Sequence, residues 1–177
     1  DAALGFSGPP QSATGQTTLW TGTNGMQAMG RHKTGFPGPT LIRVLEKYGM
    51  LRLLNESGRS ATLLNAYSDV YLERVAERPR LMSCSTHLQR SSGVPLKRLH
   101  DLAGGDALFM DITHEIMHRV YPELEERFPV IPAYTRGKDL LEISRTQNYD
   151  LCIHEFFLPD KAGHDQERAV VPVRRID

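Results

Sequence analysis

The sequence predicts an α/β layered fold with a mainly parallel sheet. Three short apolar runs, at residues 61–67, 107–111 and 150–158, read as buried strands. Between them lie segments with apolar residues at helical spacing, and strands that alternate with helices favour parallel pairing. The 177 residues suffice for one domain, or for a domain with a small insertion.

The first element follows from PPQSATGQTTLWTG, residues 9–22. Pro9 and Pro10 hold the chain extended. Ser12 or Thr14 can then cap a helix that buries Leu19 and Trp20. A hydroxyl at this point also sits in the positive field of a helix N-terminus, beside free backbone N–H groups, which suits a nucleophile that takes up phosphate. Residues 22–39 hold five glycines and two prolines and read as a long loop. A helix over 40–54 carries Leu41, Ile42, Val44, Leu45, Tyr48, Leu51 and Leu54 at helical spacing, starting after Pro37-Gly-Pro39 and ending near Gly58. Residues 68–105 are charged and Ser-rich in places and suit a small insertion over one sheet edge. Further helices are expected over 115–128 and 138–145. The expected organisation is 1–67 as nucleophile helix with the following helix and strand, 68–148 as a variable part or insertion, and 149–177 as strand and ligand-bearing loop.

Composition sets bounds on function. The 21 basic and 21 acidic residues cancel, which gives no electrostatic case for nucleic acid or an anionic membrane. No apolar run approaches the ~20 residues of a membrane span. Cys84 and Cys152 lack metal-type or redox-type spacing, so a reduced, cytoplasmic setting is expected. The start at Asp1 without Met and the end at RRID lead us to expect a segment of a longer chain.

Chemistry concentrates at the end of the third strand, FLPDKAGH. Asp160 and His164 leave the carboxyl end of a buried strand, where open α/β sheets bind ligands, and Gly163 permits a sharp turn between them. A hard oxygen and a borderline nitrogen together suit zinc or manganese. The bland reading is an Asp that caps the next turn and a solvated His.

SATGQTTLWTG resembles the nucleophile helix of the alkaline phosphatase superfamily, in which a Ser or Thr precedes a Thr-Gly pair at the distance of Ser12 from Thr21-Gly22. QSATG is similar to the Ser-x-x-Gly of the cofactor-independent phosphoglycerate mutases, and PDKAGH resembles the metal-binding loop of those mutases. GRHKTGFPGPTL and LLNAY resemble a bacterial branch of the superfamily described only as metalloenzymes, and the chain as a whole resembles proteins of the phosphoglycerate mutase and phosphopentomutase type. The resemblance implies that Ser12 is the nucleophile and a metal ligand, and that Asp160 and His164 hold one of two divalent ions, manganese or zinc. It implies a small phosphate ester as substrate. A hydroxyl becomes a competent nucleophile when two metals stabilise its alkoxide and clamp the phosphoryl group. His32, Lys33 and Asn65 are expected phosphate or substrate contacts, with exposed loop and strand-end turn positions as the bland readings. The superfamily's early Asp-Gly, its Ser-Asp-His-Gly and a further His are absent from the 177 residues, and would precede Asp1 and follow Asp177.

A rival pattern is His114-Glu-Ile-Met-His118, which matches the zinc protease motif H-E-x-x-H. Two histidines on one helical face can share a zinc with Glu115 as general base, and Glu123, Glu125 or Glu126 as a third ligand. Asp111 and Arg119 put charges where such helices usually keep uncharged residues. A third expectation is a non-catalytic domain that retains the fold. His87, His100 and His154 read as surface or satisfied core positions.

Overall fold

The computed structural model describes residues 3–8 and 10–160. It is a mixed α/β protein whose strands run parallel. In chain order come α1 (Ser12–Thr21), α2 (Gly25–Met29), α3 (Pro39–Tyr48), α4 (Met50–Glu56), β1 (Ala61–Leu63), α5 (Asp69–Glu77), α6 (Cys84–Ser91), α7 (Leu99–Ala103), α8 (Glu115–Val120), α9 (Ala133–Thr146) and β2 (Leu151–Ile153). Single 3₁₀ turns cover Pro79–Leu81 and Pro122–Leu124. No helix among the described residues is long and apolar enough to cross a membrane.

Two of the three predicted strands are found among the described residues, both shorter than their apolar runs; the run over 107–111 forms no strand. β1 and β2 form a two-stranded sheet. Ser60 O accepts from the amides of Asp150 and Leu151, at 2.7 and 3.1 Å, and the Leu64 amide donates to Ile153 O at 2.8 Å, so both strands advance together. The middle run contributes a single parallel bridge, between Asn65 and Leu108. Asp150 anchors the start of β2: its carboxylate accepts the Ser60 amide at 2.8 Å and pairs with Arg59 at 3.2 Å. The Ser60 amide, and then Arg59, hold this carboxyl below its ordinary value.

The predicted helices are present with altered bounds. The helix expected over 40–54 is two helices, because Gly49 leaves helical geometry at φ −60°, ψ 124°. A Cβ at Gly49 would lie 2.5 Å from Leu45 O and 2.9 Å from Leu88 Cδ1, so close packing of this corner requires glycine. The helix expected over 115–128 stops at Val120, because Pro122 forces Tyr121 out of the α region. The helix expected over 138–145 extends over α9. The loop expected over 22–39 contains α2, nucleated where Asn24 Oδ1 accepts the Gln27 amide at 3.0 Å.

Two corrections concern α1. Neither Ser12 nor Thr14 is its N-cap: the cap residue is Gln11, whose side chain makes no capping bond. Nor does α1 bury Leu19, which is 68% exposed, and Trp20 is half-buried. The buried face is Ala13, Thr14 and Thr17. Threonine is tolerated there because Thr17 Oγ1 bonds back to Ala13 O at 2.7 Å, leaving no bare hydroxyl in the core.

The described chain divides into two compact units. The first comprises residues up to Leu63, with Tyr67–Leu96 and Asn148–Cys152. The second comprises Leu64–Ala66, Lys97–Gln147 and the described residues from Ile153. The first has a core cluster of Ala13, Leu41, Leu45 and Cys84, with Trp20 and Met29 packed on it. The second packs Ala66, Leu99, Leu102, Ala107, Phe109, Met117 and Phe128.

Candidate functional site

In the first unit, the loop after α2 lies across the first turn of α1. Lys33 O accepts the amides of Ala13 and Thr14, at 3.0 and 3.4 Å, and the Lys33 amide donates to Thr14 Oγ1 at 3.4 Å. These two helix-end amides are therefore not free, contrary to the expectation from sequence. A carbonyl dipole has been folded onto the positive end of the helix, which is a favourable way to satisfy it.

Ser12 is treated differently by the same loop. Its side chain is exposed, and its Oγ accepts the Gly35 amide at 3.2 Å. A donated N–H stabilises negative charge developing on that oxygen. The serine is the first helical residue, and its hydroxyl does not serve as a cap. His32 and Lys33 are both half-buried, and His32 has no hydrogen-bond partner at either ring nitrogen among the described residues.

In the second unit, polar side chains gather where the parallel strands end. Asn65 is buried, and its amide pairs with the backbone of Glu155 in both directions: Nδ2 donates to Glu155 O and Oδ1 accepts the Glu155 amide, each at 2.8 Å. The side chain thus continues the ladder beyond β2. Asp111 is also buried and collects three amides, those of His114 at 3.1 Å, Ile116 at 2.5 Å and Met117 at 3.3 Å. This carboxylate caps α8 and sets its start at Glu115.

That start decides the fate of the His114–His118 pattern. His114 lies outside the helix at φ 74°, in the left-handed region, so the two imidazoles do not share a helical face. His114 Nδ1 lies 2.9 Å from Pro129 O, and its Nε2 lies 3.1 Å from Arg136 Nη2. A carbonyl only accepts and a guanidinium only donates, so the proton is on Nδ1 and the ring is neutral. His118 Nε2 lies 2.7 Å from Phe128 O. Burial holds His114 below its ordinary value, with the Pro129 carbonyl opposing and Arg136 assisting. Glu115 is exposed and accepts from Thr113 Oγ1 at 3.3 Å, and Glu123, Glu125 and Glu126 are exposed. The motif is built here as a backbone lock.

Arg136, almost wholly buried on α9, completes this lock through Ile112 O at 3.1 Å and Asp139 at 2.9 Å. Nothing in the sequence singles it out, since it acts 22 residues from its imidazole partner. His154, directly after β2, lies with Nε2 3.1 Å from Phe109 O, and burial holds it below its ordinary value.

Asp160 is exposed in a helical turn that follows β2. His164 and Gly163 lie outside the described residues. Among the described residues, no three His, Cys, Asp or Glu side chains form a group that could hold a metal ion. Comparison of the chain with protein-family models, with curated proteins and with solved structures finds no match in any of the three.

Proposed function

We propose that this chain carries the nucleophile of a metal-dependent phosphohydrolase or phosphomutase of the alkaline phosphatase type, acting on a small phosphate ester. The observation that carries the reading is the state of Ser12. The structural role that most often explains a serine after Pro-Pro is an N-cap, and Ser12 does not perform it. Its hydroxyl is instead exposed at the positive end of a ten-residue helix, with one N–H directed at its oxygen. Both features favour a hydroxyl that must ionise and attack phosphorus.

In this reading Ser12 Oγ loses its proton to solvent and attacks in line, forming the bond to phosphorus as the ester oxygen leaves with the electron pair and takes up a proton. Water releases the phosphoserine in a hydrolase, and a second substrate hydroxyl accepts the group in a mutase. Ser12 and Asp160 offer exposed hard oxygen donors of the kind manganese and zinc accept, and His164 would add an imidazole. Two such ions, when bound, supply charge neutralisation at the phosphoryl group. His32 and Lys33 serve as contacts to the phosphate. Asn65 serves as a substrate contact only through the capacity left after its two bonds to Glu155. The layered, mainly parallel core of the superfamily goes with this proposal, as does a cytoplasmic setting.

The test is Ser12→Ala, assayed with an aryl phosphate in the presence of manganese or zinc. Turnover should fall by at least on the order of a thousandfold, as when other covalent nucleophiles are removed, and no phosphoenzyme should be trapped by acid quench. Wild-type turnover in this variant would remove the assignment.

A further inference from the structure

In the second unit Arg136 reaches three acceptors: Ile112 O, the Asp139 carboxylate and His114 Nε2. The first two are oxygens, which accept whatever the charge on the histidine. The third accepts only while the imidazole is neutral, because protonation converts the Nε2 lone pair into an N–H. The guanidinium stays charged throughout and has no acceptor to offer that N–H. The other bonded histidines around α8 and β2 differ. His118 Nε2 faces Phe128 O and His154 Nε2 faces Phe109 O. A protonated ring still donates to a carbonyl, so acid opposes neither bond.

Acid opposes the His114–Arg136 contact in two ways. Two donors then meet at 3.1 Å, and two positive charges are held together where His114 is 2% and Arg136 7% exposed. The groups facing the ring pull in both directions. Burial, Arg136 from α9 and His118 from α8 disfavour the charged ring, and Asp111 and the Pro129 carbonyl favour it. Phe128 meets the ring edge-on and brings no charge.

The same contact restrains backbone that is strained in its present shape. Ile112 has φ +50° and His114 φ +74°, and a β-branched residue strongly avoids the left-handed region. The loop over 111–114 is tied to the approach and first turn of α9 at two further places. Arg136 Nε donates to Ile112 O at 3.1 Å, and the Ile131 amide donates to Thr113 O at 3.1 Å. An Arg136 repelled from His114 draws on both ties, and a loop released from them can leave its strained conformation.

We infer that the His114–Arg136 contact is an acid-sensitive latch: it holds the 111–114 loop to the start of α9 while His114 is neutral, and it opens locally when the ring takes up a proton. The opening is distinct from the loss of global stability that any buried histidine brings in acid, and it precedes that loss. It does not depend on the role of Ser12.

The test is amide hydrogen exchange followed by NMR from pH 7.5 to pH 5.0, corrected for the intrinsic pH dependence of exchange. The reporters are the Ile131 and Arg136 amides, which donate to Thr113 O and Pro132 O. Opening frees a ring whose ordinary value is 6.5. One proton taken up per opening multiplies the opening constant by about ten for each pH unit below that value, until the closed ring itself titrates. Protection of both reporters should fall by that factor. Urea below the unfolding transition should change it little, because a local opening exposes little surface. His114→Gln, whose side-chain carbonyl accepts from Arg136 at any pH, should lose the slope, and His154→Gln should keep it. A slope retained in His114→Gln overturns the inference. If His114→Gln does not fold, the wild type decides. Acid-driven exchange of the reporters with weak urea dependence supports the latch, and exchange with the full urea dependence of global unfolding, or none driven by acid, overturns it.

Discussion

Histidines and hydroxyls occur both at the first turn of α1 and around α8, and the two regions treat them in opposite ways. Around α8, Asp111 accepts three amides, and His114 has a partner at each ring nitrogen. Arg136 reaches a carbonyl, a carboxylate and an imidazole. At α1, Ser12 is exposed with one bond to its oxygen, and His32 has none among the described residues. Groups that hold a fold close on one another, because each unmet polar atom in the interior costs stability. Groups kept for chemistry must leave capacity open for a ligand. By that measure the bonds around α8 hold the fold together, and the α1 end is where the proposed function is to be tested.

The comparison breaks most decisively at Asp111. Replacing it by Ala leaves three amides without an acceptor at the start of α8, and two of the three residues, His114 and Met117, are at most 2% exposed. We expect Asp111→Ala to cost about 3 kcal/mol or more, since each bond from a charged group contributes roughly 1.5–3 kcal/mol. Asp111→Asn retains one carbonyl oxygen and should lose less. Urea denaturation monitored by circular dichroism would measure both. A loss under about 0.5 kcal/mol in Asp111→Ala, the size of an ordinary surface change, would mean that this network does not hold the unit together.

A smaller effect should follow from pH. His114, His154 and His87 are each held below the ordinary histidine value of 6.5, with burial the largest cause in all three. For His114 and His154 the charged neighbours are Arg136, which favours the neutral ring, and Asp111, which opposes it, and His118 adds to Arg136 at His114. For His87 they are Arg90, favouring neutrality, and Glu46, opposing it. A lowered folded value means that below pH 6.5 the unfolded chain binds protons that the folded chain resists. Stability is then full above 6.5 and declines as the pH falls through the window beneath it. The urea midpoint should drop between pH 7.5 and pH 5.5, and His154→Gln should flatten that slope. A midpoint that rises on acidification would contradict the burial of these rings.

How far the sequence could be read differs between the same two regions. The mixed α/β character and the sites of two strands were legible, because a run such as 61–66 is mostly apolar and is entirely buried. Strand length was not, since a ladder needs a neighbour in register, and the 107–111 run finds one only at Leu108. Helical periodicity located α3 and α4 but passed over Gly49, whose role depends on the approach of Leu88 from α6. The H-E-x-x-H spacing was legible, but the shared helical face it implies is not formed, because His114 precedes α8. One helix-start signal, Asp111 ahead of the apolar Ile116 and Met117, was the cue that His114 would be left outside. The place of Ser12 near the start of α1 was visible in Pro-Pro and the polar run after it. That the amides of Ala13 and Thr14 would be covered by Lys33 depends on a loop closing over 19 or 20 residues, which no local pattern encodes.

The finest test of the contrast is the stability of Ser12→Ala. In the α8 region, loss of a polar side chain leaves buried partners stranded. At Ser12 the partner is a single amide, that of Gly35, in an exposed setting where water can replace the hydroxyl. A helix cap would cost about 1 kcal/mol on truncation, but Gln11 is the cap residue and alanine suits the first helical turn. We therefore expect Ser12→Ala to change unfolding free energy by no more than about 0.5 kcal/mol, the usual range for surface positions, while removing phosphoenzyme formation. The two measurements belong on the same preparation, so that lost activity cannot be a consequence of unfolding. If Ser12→Ala destabilises the chain as strongly as a cap or a buried network residue does, the hydroxyl is part of the architecture after all, and the openness that distinguishes the α1 end from the α8 region disappears.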